Sequence, residues 1–491
     1  MRKTVLVVMA TAGLLGASGN AFGQHLWIGN ESEDWFDSDN WDGGVPNSGT
    51  SQVRINTTNP NPTLIDGNAA ETGNSFSVGH NASGELSIVN GGSLHTHGSG
   101  VVGSQAGGDG SVIIRGAGSS WEVDSSNSAI GNSGAGELEI LDGGQWIGPG
   151  SGTISIGWQA SGSGSVVVSG TGSSMDFGGG NFWLGHVGSG QMTISDGGQV
   201  LFGTTSTVAQ AANSHGEVLL TGAGSLLSGT RLHVGNSSSG HLRLVDGAML
   251  HLTGSGSPAN YRLVIGANPG SEGEVVVGGP AGESPEAPGQ MDLFGGVLFN
   301  GGAGTLVFNH TGSLDMPFPI EGPVGTNASG LIRAENGATL FSGQPVNYSG
   351  SLLIEEAGVF GASGQLGDVT NEGTLVASPG QSAALSIGGD YVHGENAVLA
   401  IELAPGPVVD LVEVSGAVTI EGGSVAFTVL PGNYGREPLD GLYPILTAAE
   451  GIVGEFDQIV TSNPNAYVLV HDGDTVYVQV NDRMFHDRYE Q

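Results

Sequence analysis

Four segments of this chain share one set of spacings, and that repetition limits it to a narrow class of folds. Anchored on Gly79, Gly131, Gly185 and Gly235, each segment places a glycine five positions on, at Gly84, Gly136, Gly190 and Gly240. Apolar residues follow at seven positions (Leu86, Leu138, Met192, Leu242) and at nine (Ile88, Ile140, Ile194, Leu244). At eleven stands Asn90, Asp142, Asp196 or Asp246, and at fifteen Leu94, Trp146, Val200 or Leu250. A second unit alternates with the first, anchored on Gly103, Gly157 and Ala209, with a weaker copy at Gly266. It carries Val112/Ile114, Val166/Val168 and Val218/Leu220, then the glycine pairs 116/118, 170/172 and 222/224, and closes on Trp121, Met175 and Leu227. The superperiod between successive first-unit anchors is 52, then 54, then 50 residues. Self-similarity of this kind marks a solenoid.

Within both units the apolar residues recur at period two, the signature of strands with one face buried. Gly is 91 of 491 residues, and a glycine inside a helix costs about 0.8–1 kcal/mol against alanine, so the mature chain offers helices little. A coil of about 26 residues with short strands cannot bury its own apolar side, but it can do so stacked on its neighbours. The expected fold is all-β: a right-handed parallel β-helix with N-terminal and C-terminal caps. At about 4.8 Å per coil, residues 76–280 correspond to about eight coils and about 40 Å.

The Asn90, Asp142, Asp196, Asp246 register reads as a structural turn ladder. Asx residues tolerate positive φ, and a small residue follows each of them. A calcium column is the alternative, but these positions recur about 10 Å apart, too far for one ion with Ca–O bonds of about 2.3–2.6 Å. Gly79, Gly103, Gly131, Gly157, Gly185, Gly235 and Gly266 read as structural anchors.

Residues 1–23 have the form of a secretory signal peptide: Arg2-Lys3, an apolar run Val5–Leu15, and Ala21-Phe22-Gly23 as a small-x-small cleavage site. Residues 24–75 read as an N-terminal cap built on Trp27, Trp35, Asn40-Trp41 and Pro46. The acids Asp34, Asp37, Asp39 and Asp42 there resemble a calcium loop only superficially, and exposed tryptophans would offer a surface for sugars. After 76–280 come degenerate rungs over 281–403, a C-terminal β cap over 404–480, and a polar tail, 481–491, expected to fray.

Without Arg2 and Lys3, the 11 Lys+Arg fall to nine, all Arg, against 47 acids, a net charge of −38. Such a chain is a poor partner for nucleic acid, whose phosphates demand basic patches. There is no cysteine, which removes disulfides and thiol catalysis. The mature chain has no run long and apolar enough for an integral membrane helix.

The interleaved units, most clearly Gly108–Trp121, resemble the repeat shared by autotransporter passengers, which belong to type V secretion, and PEP-CTERM-type exported proteins. The opening Trp27…Asn40-Trp41…Pro46 is similar to the N-terminal segment of that group. Gly373 through Ser378-Pro379-Gly380, with Tyr391, Asp410-Leu411, Val414 and Tyr443-x-Ile445-Leu446, resembles the end of an autotransporter passenger. No membrane barrel and no Pro-Glu-Pro terminus follow in these 491 residues, so the expectation is a passenger without its translocator. The resemblance implies export to the surface of a Gram-negative-type bacterium, or beyond it, in association with the outer membrane.

No catalytic, metal-binding or cofactor-binding set stands out. Glu85, Glu137, Gln191 and His241 share a register but drift in identity, the arginines are scattered, and His95-x-His97 lacks an evident third ligand. The leading expectation is a structural or adhesive solenoid without catalysis, contacting glycans, extracellular matrix or other cell-surface proteins. A carbohydrate- or cell-surface-binding module with a localised groove is the alternative, and a polysaccharide lyase or hydrolase a distant third. A binding module would show a localised aromatic patch where a plain scaffold shows uniform polar rungs.

Overall fold

The computed structural model describes residues 23–253, 262–380, 384–404, 408–430, 441–461 and 464–480. The signal segment before Gly23 and the polar tail lie outside the described residues. The chain forms a parallel β-solenoid of about 15 turns. Among the described residues the only helical elements are two three-residue 3₁₀ turns, Ser38–Asn40 and Pro464–Ala466.

One turn shows the plan. The strand Ser75–Val78 ends at the Gly79 corner, Ser83–Val89 forms the broad face, and the chain turns again at Asn90-Gly91. Ser93–Thr96 then forms the second face, and Ser99–Val102 begins the next turn on the anchor face. Stacking in parallel register places Leu86 on Val112 on Leu138 and Ile88 on Ile114 on Ile140, all fully buried. Burying one such side chain is worth about 1.5–3 kcal/mol. A lone rung would leave both sides of this column wet, so each rung depends on its neighbours.

The glycine spacing has a steric cause at the anchor corner. Gly131 adopts φ +71°, and a Cβ there would lie 2.1 Å from the Ser163 carbonyl oxygen of the next rung. A Cβ on Gly136 would lie 2.3 Å from the Gly131 nitrogen. Backbone meets backbone on both sides of the Gly131 corner, and a side chain there would force the neighbouring rung to shift.

The alternation of units also has a physical basis. In one rung type the second corner is Asn-Gly or Asp-Gly, and in the other it is Gly-x-Gly-Ser. The buried hydroxyls of Ser119, Ser173 and Ser225 accept hydrogen bonds from the N–H groups of Gly91, Gly143 and Gly197 at 3.1, 3.0 and 3.0 Å. Three of the four first-type corners are therefore completed by a serine from a second-type neighbour, while at the fourth the Gly247 N–H donates to the Pro288 carbonyl at 2.9 Å.

Both ends depart from the plan. At the N-terminus Gln24–Trp27 pairs parallel with Gln52–Ile55 and antiparallel with Trp41–Asp42, over an aromatic plug. Trp27 and Trp35 each pack edge-on against Trp41, at 5.0 and 4.7 Å between ring centroids. The buried Asn40 accepts from the N–H groups of Glu31 and Ser32 and donates to Ser32 Oγ and the Asp34 carbonyl. Beyond residue 300 the strands lengthen, and Ser329–Tyr348 and Ser351–Leu366 bend through bulges to serve more than one face. The parallel columns continue through Leu411–Val414, Val418–Ile420 and Ser424–Val429 inside the segment read from sequence as a cap. Departures from parallel stacking there include the short antiparallel pairing of Val398–Ala404 with Val408–Val409 and the hairpin Tyr467–Asp472/Thr475–Val480, laid antiparallel on Leu442–Ala448. A hairpin covers a sheet edge that would otherwise present unpaired backbone to another chain.

Candidate functional site

The corner residues singled out in the sequence serve the backbone. Asn90, Asp142, Asp196 and Asp246 have φ of 53°, 55°, 55° and 56°. Their side chains engage the preceding rung: Asn90 Nδ2 donates to Asp66, while Asp196 and Asp246 accept from Ser169 and Thr221. Arg115 Nε stands 3.6 Å from Asp142. The anchors Gly79, Gly103, Gly131, Gly157, Gly185, Gly235 and Gly266 all have φ between 62° and 72°. In the N-terminal segment, Asp34 and Asp37 accept from the N–H groups of Phe36 and Asp39, closing tight turns.

The tryptophans divide cleanly. Trp27, Trp35, Trp41, Trp121 and Trp146 are buried, so the aromatic cap cannot stack on sugars. Trp158 and Trp183 are partly exposed and lie together. Trp158 follows the Gly157 anchor and His186 follows the Gly185 anchor, one rung apart. The backbone ladder holds them there, with His186 N–H donating to the Gly157 carbonyl at 3.0 Å and Val187 N–H to that of Trp158 at 3.0 Å. The His186 ring stacks near-parallel on Trp158, with centroids 6.2 Å apart and planes 21° apart. It also meets Trp183, an outward residue of the anchor face, edge-on at 4.3 Å. Ser155 Oγ lies 3.1 Å from His186 Nδ1. Burial lowers the His186 pKa, so this patch is uncharged at neutral pH on a strongly acidic molecule. A flat, neutral aromatic surface with hydrogen-bonding groups beside it suits a ligand that is apolar on one face and polar at its edge.

A second cluster lies on the broad face. Parallel register stacks Glu217, His241 and Glu274 in consecutive rungs, with Arg243 in the adjoining column. They line a recess of about 250 Å³ bounded by Pro280 and Ala281. His241 Nδ1 is 3.0 Å from Glu274, and this hydrogen bond raises the His241 pKa and lowers that of Glu274. Arg243 pairs with Glu286 at 2.7 Å. Hydrolysis by paired carboxyls needs one held protonated and the other ionised; the hydrogen bond from His241 favours the ionised form of Glu274.

Aligning like units with like hides both clusters. Trp158 and Trp183 belong to different unit types; Glu217 sits in the rung skipped between Gln191 and His241, and Glu274 in the second-type rung that follows His241. The available signal was the one-rung offset, about half the superperiod.

No family model matches the chain. It is similar to the uncharacterized lipoprotein YdeK of Escherichia coli (strain K12), at 28% identity over 215 residues, 42% of this chain and 16% of that protein. It is also similar to the uncharacterized protein YuaQ of the same organism, at 25% identity over 241 residues, 48% of this chain and 16% of that protein. The chain thus matches about a sixth of the length of each relative. No helix among the described residues is long and apolar enough to cross a membrane.

Proposed function

We propose that this chain is an exported structural solenoid of the bacterial cell surface that adheres to glycans, without turning them over, through the Trp158–Trp183–His186 patch. The observation that carries the reading is the placement of the tryptophans. Of seven, five fill the interior, and the two left partly exposed meet around one neutral histidine. Large aromatics on an otherwise polar surface mark contact sites more often than they serve stability. The lipoprotein name of one relative supports an envelope setting. Contact with a polymer displayed on a cell would add modest single-site affinities through multivalency.

The test is binding of the tag-free mature protein to a panel of immobilised polysaccharides, compared with a Trp158→Ala/Trp183→Ala double variant. Both side chains are partly exposed, so the variant keeps its melting temperature within a few degrees. Its binding should fall at least tenfold, or about 1.4 kcal/mol. Equal binding by the variant, or release of reducing ends from any polysaccharide by the unmodified protein, would sink the reading.

A further inference from the structure

The second face carries a histidine pair whose missing partner comes from the next rung. Period two directs His95 and His97 to the same side of Ser93–Thr96 and its continuation, with ring centroids 4.0 Å apart. The following rung pairs Glu122 with His95 and Val123 with Thr96. Asp124 N–H then donates to the Thr96 carbonyl at 3.0 Å, which sets the Asp124 side chain against both rings. His95 Nε2 lies 3.0 Å from Asp124 Oδ1, and His97 Nδ1 lies 3.3 Å from Oδ2. One ligand atom from each of the three residues lies within 4.8 Å of the others.

We propose that His95, His97 and Asp124 bind one divalent transition-metal ion of the zinc class, with a fourth position open to water or to a partner's donor group. Tetrahedral bonds of about 2.0–2.1 Å set ligand atoms about 3.3 Å apart, and three atoms already within 4.8 Å of one another need only side-chain rotations to close on one ion. Two imidazoles and one carboxylate suit zinc and its neighbours better than magnesium or calcium, which take oxygen ligands. Glu71 and Glu122 flank His95 in the outward column, and their charge favours a dication over the competing hydrogen-bonded arrangement. The side chains of His95, His97 and Asp124 are 33%, 35% and 44% exposed, so an ion can enter from solvent. Because the ligands come from two rungs, the ion would clip them together.

The experiment uses the tag-free mature chain, stripped by chelator and titrated with ZnCl₂ by calorimetry and with Co²⁺ by visible absorption. Expected are one equivalent of Zn²⁺, the intense Co²⁺ bands of four-coordinate geometry, and a rise in melting temperature with Zn²⁺. His95→Ala and Asp124→Asn should each weaken binding at least tenfold, since even residues that only orient metal ligands are worth about 10–100-fold. His251→Ala removes a histidine that meets a single carboxylate, that of Asp292, and should leave binding unchanged. If His95→Ala folds poorly, His97→Ala reports on the same site. No saturable binding tighter than about 100 μM, binding that survives both histidine variants, or only weak six-coordinate Co²⁺ bands would overturn the proposal.

Discussion

Ala209 occupies the anchor corner with φ +60°, between Gly185 and Gly235 of the same column at +67° and +71°. A side chain in left-handed backbone costs about 1–2 kcal/mol, while glycine loses about 0.5–1 kcal/mol more on folding than alanine. Relief of strain outweighs the added entropy loss, so Ala209→Gly should stabilise by up to about 1 kcal/mol in chemical denaturation. Gly131→Ala should do the reverse by more than about 2 kcal/mol, because its Cβ would also strike the Ser163 carbonyl. His393 makes a second prediction. It is fully buried, with its Nδ1 2.8 Å from the Tyr391 hydroxyl and its Nε2 3.1 Å from the Ala397 carbonyl. The neutral ring fits this network, accepting from Tyr391 and donating to Ala397, and burial pushes its pKa down to about 4. The unfolded chain takes up that proton near pH 6.5, so the stabilisation is complete above pH 6.5 and is lost as pH falls towards 4. At about 1.4 kcal/mol per unit this amounts to about 3 kcal/mol. The melting temperature should fall across this window, and by less in His393→Gln; parallel profiles would assign the fall to other groups.

The broad-face strand Ala135–Leu141 separates inside from outside at adjacent positions. Ile140 is fully buried between Ile114 and Val168, while Glu139 faces outward. Ile140→Asp places a carboxylate with no partner in an apolar column and should cost several kcal/mol. Glu139→Ala should change stability by less than about 0.5 kcal/mol. Equal effects in urea denaturation would mean the strand lies one residue out of register. The same alternation, read outward, is what lines up Glu217, His241 and Glu274 and sets His95 beside His97.

Because each rung touches only its neighbours, whole rungs can be removed. Deleting Gly79–Ile130 takes out one rung of each type, joins Val78 to Gly131, and preserves the contact of Asx-Gly corners with serine corners. The shortened protein should melt cooperatively and still bind through Trp158 and Trp183, which lie outside the deletion. Deleting only Gly131–Ile156 leaves two serine-type corners adjacent, those of Ser119 and Ser173, and removes the Gly143 N–H that Ser173 accepts from. That variant should melt at a lower temperature than the two-rung deletion. Identical melting of the two would show that the alternation of units carries no stability.

Local chemistry made much of the fold legible. A glycine required where backbone meets backbone, an Asx at positive φ and an apolar residue at every second position each leave a mark on one residue type. Repetition amplifies those marks until the solenoid, its coil length and its inward residues can be read from the chain alone. The contact sites leave no such mark, because they arise between rungs. Asp124 completes the His95–His97 pair from a residue 27 positions further on, and the turn between them obeys no spacing rule of its own. Trp121 and Trp146 take inward positions of the second face, whereas Trp183 alternates with the buried Phe182 and Leu184 and Trp158 follows the Gly157 corner. Only the stacked structure brings those two indoles together on His186, because the hydrophobic effect rewards burial of apolar surface without specifying which outward residues meet.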